Sequence, residues 1–131
     1  MLQDLTYTTK GNFDIIAVDY RMGPEFRFPT AINDSIASIN WVKNNPLKLP
    51  IDNSKIALCG DSAGGNIAAV CCINSKINSG PLISFQALIY PSTHIGVDYP
   101  SKEKYDGFIL SKLLMNWFQD KYIDKDKFHD W

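Results

Sequence analysis

Histidine is scarce in this chain: its 131 residues hold two, His94 and His129. Cysteine is limited to Cys59, Cys71 and Cys72, with no Cys-x-x-Cys spacing and no paired histidines. That argues against the usual zinc frameworks and against a disulfide scaffold. It is instead the usage of small buried apolar residues in a reducing compartment. No basic or acidic tract is present, and a net charge of −1 gives no reason to expect nucleic acid or an anionic membrane as partner. The longest apolar run, Ile67 to Ile73, is too short to span a bilayer. Met1 to Phe13 has no apolar core of signal-peptide length. A soluble, cytoplasmic protein without a metal site is the expectation.

What is present suits one globular domain over residues 1–131: 45% hydrophobic and 21% charged residues are ordinary proportions. Residues 1–11 show no clear element. Phe13 to Asp19 predicts a buried strand, its continuous Ile15-Ile16-Ala17-Val18 suiting a parallel sheet. Prolines and a glycine make Asp19 to Pro29 a loop. Thr30 to Asn44 predicts a helix with an apolar stripe of Ile32, Ile36, Ile39 and Val42. Ile56 to Cys59 is a second strand, Ser62 to about Asn78 a helix stopped by Gly80-Pro81, and Phe85 to Tyr90 a third strand. Ser92 to Gly107 reads as a long loop. Ser111 caps a last helix to Ile123, with Leu113, Leu114, Trp117, Phe118 and Tyr122 on its apolar face, and a charged, frayed tail follows. Strands alternating with helices predict an α/β fold: a parallel sheet with flanking helices, joined by right-handed crossovers.

The chemistry concentrates between the second strand and its helix. Gly60-Asp61-Ser62-Ala63-Gly64 is a G-x-S-x-G turn between a strand and a helix, the setting of a nucleophile elbow. A serine hydroxyl is a weak nucleophile and must be exposed beside a base. A sharp bend lifts it from the sheet, and Gly60 and Gly64 are expected to relieve the resulting crowding, with Gly65 extending the glycine run. The helix then points its unpaired N–H groups and positive dipole end at the site. The Ala63 amide is placed to hold a developing oxyanion. Rossmann and P-loop spacings are absent, and no lysine follows Gly65.

Three blocks resemble one family. Asp19-Tyr20-Arg21 with Pro24-Glu25 and Phe28-Pro29 is similar to its loop after the fourth strand. Gly60-Asp61-Ser62-Ala63-Gly64-Gly65-Asn66 is similar to its elbow, and Met115-Asn116-Trp117-Phe118 with Tyr122 to its helix after the sixth strand. These identify the chain, over about residues 13–123, as resembling the hormone-sensitive-lipase-like branch of the α/β-hydrolases, with its bacterial acetyl esterases and arylacetamide deacetylases. Met22-Gly23 stands where Leu-Ala is usual, and Phe26-Arg27 where His-Pro is usual; Arg21 and Glu25 are expected to form a loop ion pair. The resemblance implies hydrolysis of small-molecule esters with short or medium acyl groups, Ser62 as nucleophile, Ala63 as oxyanion donor and no cofactor. It also leaves open a non-catalytic, small-ligand-binding member of the same fold, like the plant gibberellin receptors.

Residue order limits what else can take part. No histidine precedes Ser62, which leaves only the order serine, acid, histidine. Residues 63–93 contain no Asp or Glu, so His94 fails that order. His129 follows several carboxylates, but no strand pattern separates it from the last helix. The family's His-Gly-Gly-Gly run is also not found in residues 1–12. The chain therefore reads as the central part of an esterase, a partial α/β-hydrolase fold of three strands and three main helices. A strand missing between the first two would leave a gap in the sheet.

Overall fold

A computed structural model of the chain describes residues 5–10, 13–45, 52 and 54–127. Two strands open it, β1 (Leu5–Lys10) and β2 (Phe13–Val18), paired antiparallel in the register Leu5 with Val18 to Lys10 with Phe13. The expectation of no element before residue 12 is thereby corrected. Thr6, Tyr7, Thr8 and Thr9 favour extended backbone, and Gly11-Asn12 between the strands is a two-residue hairpin signal. The antiparallel pairing also corrects the reading of β2 as a fully buried parallel strand. Ile16 and Val18 are half-buried, whereas Ile15 and Ala17 lie exposed.

Helix α1 (Thr30–Asn44) follows, then β3 (Ile56–Asp61), α2 (Ser62–Ile77) and β4 (Ile83–Ile89). β3 and β4 are parallel and packed by α2. Among the described residues β2 and β3 share no ladder. The described residues form two two-stranded sheets, β1–β2 antiparallel and β3–β4 parallel. Residues 92–107 are not one loop: a short helix, α3 (Pro100–Lys104), interrupts them. The last helix, α4 (Lys112–Tyr122), starts as expected, Ser111 accepting a side-chain hydrogen bond from the Leu114 amide at 3.2 Å. A 3₁₀ turn, Lys125–Lys127, follows. No helix among the described residues is long and apolar enough to cross a membrane.

The core lies between α1 and α2. Ala31 and Ile32 meet Ile67 and Cys71, with Tyr20, Phe28, Ile36, Ile39, Leu58 and Val70 around them. The fully buried residues of α1 are Ala31, Ile32, Ser35 and Ser38, beside the expected stripe, of which Ile32 is buried and Ile36 and Ile39 pack on the core. Two serines can face the core because their hydroxyls donate to the carbonyls of Ala31 and Asp34, each at 2.8 Å, so no polar group is left unpaired. Small side chains there allow a close approach to α2.

The apolar side of α4 remains largely exposed: no residue of the helix is buried, and Trp117 and Phe118 are about half exposed. The C-terminal end of α4 is nevertheless docked. Phe28 donates its amide to the Tyr122 carbonyl at 2.7 Å, and the two rings meet edge to face at 5.7 Å. Arg27 bonds the Asp120 carbonyl and Asp124, both at 2.9 Å, setting a cation at the negative end of the helix. The charged tail is anchored at Asp124. Arg21 pairs with Asp34 of α1 in a two-pronged contact at 2.7 and 2.9 Å. This replaces the expected partner, Glu25.

Burial, then the neighbouring Tyr20, pushes the Tyr122 phenol up to about 12 from 10.0. A raised folded-state value means that its stabilisation is fully present below pH 10 and is lost as pH rises towards 12. Tyr122→Phe is expected to flatten that part of an alkaline unfolding profile, read by circular dichroism.

Candidate active site

β3 alternates strictly, with Ile56, Leu58 and Gly60 turned inward and Ala57, Cys59 and Asp61 outward. The alternation places Cys59 in solvent, which corrects its expected burial. Cys71 is 2% exposed and Cys72 intermediate. Burial, then Cys72, pushes the Cys71 thiol up to about 11, which suppresses the reactive thiolate. Iodoacetamide is therefore expected to modify Cys59 first, and Cys71 only in denaturant, as read by peptide mass mapping.

The strand ends in an abrupt corner. Asp61 is still extended, at φ −106° and ψ 149°. Ser62, the first residue of α2, has φ +50°, a left-handed conformation that costs a non-glycine residue about 1–2 kcal/mol. The helix turns away immediately, leaving Ser62 and Ala63 exposed at its N-terminus, where backbone N–H groups lack intrahelical partners. The corner therefore offers a hydroxyl beside hydrogen-bond donors and the positive end of a helix dipole.

The glycines divide the work differently from expectation. A Cβ on Gly60 would lie 2.3 Å from the carbonyl carbon and oxygen of Gly64 and 2.8 Å from the Gly65 nitrogen. A Cβ on Gly65 would lie 3.0 Å from both the Gly60 oxygen and Pro91 Cβ. A Cβ on Gly64 would meet nothing within 4 Å. Gly60 and Gly65 carry the close approach; Gly64 contributes backbone to it, and its own lack of a side chain relieves nothing.

Around the corner stand residues that sequence reasoning missed. The Ser92 amide donates to the Ser62 carbonyl at 3.1 Å. Pro91 packs on Gly65, and Tyr90 Oη lies 3.5 Å from Asp61 Oδ2. Parallel pairing explains the convergence: Asp61 stands opposite Ile89, so the residues just beyond each strand end up side by side. Tyr20, after β2, is packed on the core. Burial first, then the charges of Asp61 and Asp19, raise its phenol.

His94 is exposed, its Nδ1 2.5 Å from the Tyr99 hydroxyl. Its hydrogen-bond partner is thus a tyrosine and not a carboxylate. His129 lies outside the described residues. Among the described residues no group of three or more His, Cys, Asp or Glu could hold a metal.

Known proteins similar to this chain are hydrolases and esterases by name. A family model described as alpha/beta hydrolase fold matches residues 5–131. Carboxylesterase NlhH of Mycobacterium tuberculosis is 41% identical over 110 residues, covering 83% of this chain and 34% of that protein. Esterase LipI of the same organism is 38% identical over 117 residues, covering 88% and 37%. The solved structure of a hyperthermophilic esterase from Pyrobaculum calidifontis superposes with a TM-score of 0.81 at 41% identity, covering 86% of this chain and 38% of that one. The chain spans about a third of the length of these curated relatives.

Proposed function

Because the chain belongs to the α/β-hydrolase fold family across residues 5–131, we propose that it carries the nucleophile of a serine carboxylic ester hydrolase acting on small-molecule esters. The observation that carries this reading is the left-handed Ser62, exposed where β3 bends into α2. The Ser62 Oγ attacks the ester carbonyl carbon while a general base takes its proton. The carbonyl oxygen becomes an oxyanion that accepts a hydrogen bond from the Ala63 amide, in the field of the helix N-terminus. Collapse of the tetrahedral intermediate expels the alcohol and leaves an acyl-enzyme, which water hydrolyses to the acid and free Ser62.

We read the base and its acid as lying outside this chain, since His94 is the one histidine among the described residues. His94 has no carboxylate between itself and Ser62 in sequence, and its ring is engaged by Tyr99. The isolated chain is therefore expected to show no turnover. Completion restores it. A chimera in which this chain replaces the matching 110 residues of carboxylesterase NlhH is expected to hydrolyse p-nitrophenyl acetate with a pre-steady-state burst. A burst from the isolated 131-residue chain, lost in Ser62→Ala, would refute the division of the triad. A folded chimera with no burst would refute Ser62 as nucleophile.

A further inference from the structure

Three of the described residues adopt a left-handed backbone without being glycine: Ser62 at φ +50°, Ser79 at +52° and Tyr90 at +36°. Ser79 has a local reason. It ends α2, where the Gly80 amide reaches back to the Ser75 carbonyl at 2.8 Å, a helix-termination geometry. Ser62 and Tyr90 have no such local reason. They stand at the ends of adjacent parallel strands, each one residue past the pair Asp61 and Ile89. Two strained residues side by side need something that over-determines them.

The turn after β4 supplies it through two contacts. The Ser92 amide donates to the carbonyl of Ser62 itself at 3.1 Å, fixing the peptide that follows the strained residue. Pro91, whose ring restricts its own φ, rests on Gly65, where even a methyl group would sit 3.0 Å from Pro91 Cβ. The Tyr90–Asp61 contact, at 3.5 Å, is too long to add much. The side chain of Tyr90 is 73% exposed, so core packing does not explain its backbone; the bend it makes is what delivers Pro91 and Ser92 to the corner.

We infer that Tyr90-Pro91-Ser92 is a positioning clamp that holds Ser62 in its left-handed conformation and thereby aims its hydroxyl and the Ala63 amide. The inference rests on reading Ser62 as the nucleophile, and none of the three residues is assigned contact with substrate.

The test uses the ¹⁵N-labelled 131-residue chain and reads two signals that general stability does not report. One is amide hydrogen exchange at Ser92; the other is the three-bond HN–Hα coupling of Ser62, which reports φ. Pro91→Gly is expected to speed Ser92 exchange about tenfold or more and to move the Ser62 coupling towards its unstructured average, with α1 amides unchanged. Ser79→Gly, at the far end of α2, is expected to leave both signals as they were. Should Pro91→Gly also strip protection from α1, Tyr90→Gly serves instead, since it removes no core side chain and leaves the bend unconfined; the same two changes are expected. An unprotected Ser92 amide in the unaltered chain, or a Ser62 coupling unmoved by the variant, overturns the clamp.

The chimera separates the two claims. There Pro91→Gly is expected to lower kcat about tenfold with KM unchanged. A folded chimera inactive in every form, with the exchange and coupling responses intact, sinks the hydrolase reading and leaves the clamp. An active chimera whose kcat ignores Pro91→Gly sinks the clamp alone.

Discussion

Gly60→Ala is expected to disrupt the corner while Gly64→Ala leaves it standing, although both positions belong to the same five-residue motif. The added methyl at position 60 would be driven to 2.3 Å from two backbone atoms of Gly64. Backbone cannot step aside as a flexible side chain can. Overpacking of this kind costs about 3 kcal/mol, at the upper end of its usual range, and relief requires the corner to open. At position 64 the methyl enters open space, and alanine in a helix gains about 0.5–1 kcal/mol over glycine. Urea unfolding of the two variants, followed by circular dichroism, should move in opposite directions from the unaltered chain. Equal losses would mean that Gly64 is sterically required after all.

Substitution of Ser62 separates its chemistry from its strain. Ser62→Ala removes the nucleophile and is expected to abolish the burst in the completed chimera, a loss of about 10⁴-fold or more in turnover, as for other removed nucleophiles. It retains a Cβ at φ +50°, so the strain persists. Ser62→Gly abolishes the chemistry equally, but glycine accepts that conformation freely. It should be more stable than Ser62→Ala by about 1 kcal/mol, in the isolated chain as in the chimera. Equal stability of the two variants would show that position 62 is not strained in solution.

The corner was legible because every local signal agreed on it. An apolar run, a glycine-flanked serine and an alanine-rich helix lie in the required order, and the boundary between Asp61 and Ser62 follows. Which glycine is crowded was not legible. The motif is symmetrical about the serine, whereas the bend is not: Gly60 is pressed against the passing helix, and Gly64 faces outward. The isoleucine stripe of α1 does meet the core at Ile32, Ile36 and Ile39, but Ser35 and Ser38 were missed beside it, because they count as polar in any hydropathy pattern, yet each satisfies its hydroxyl on its own helix. Strand β1 was missed although its Thr- and Tyr-rich run precedes a Gly-Asn hairpin signal, since Leu5 is its sole aliphatic residue. The convergence of Tyr90, Pro91 and Ser92 on the corner required knowing that β3 and β4 are neighbours in register, which no local pattern encodes. The Arg21 to Asp34 pair required knowing that the loop after β2 folds back onto α1.

The most direct measurement is the site of covalent modification after the completed, folded chimera meets a fluorophosphonate, mapped by peptide mass spectrometry. The expected result is a single adduct on Ser62, absent in Ser62→Ala and undiminished in Cys59→Ser. An adduct on another residue, or a folded protein that binds small esters yet stays unmodified at Ser62, would contradict a nucleophile at the end of β3.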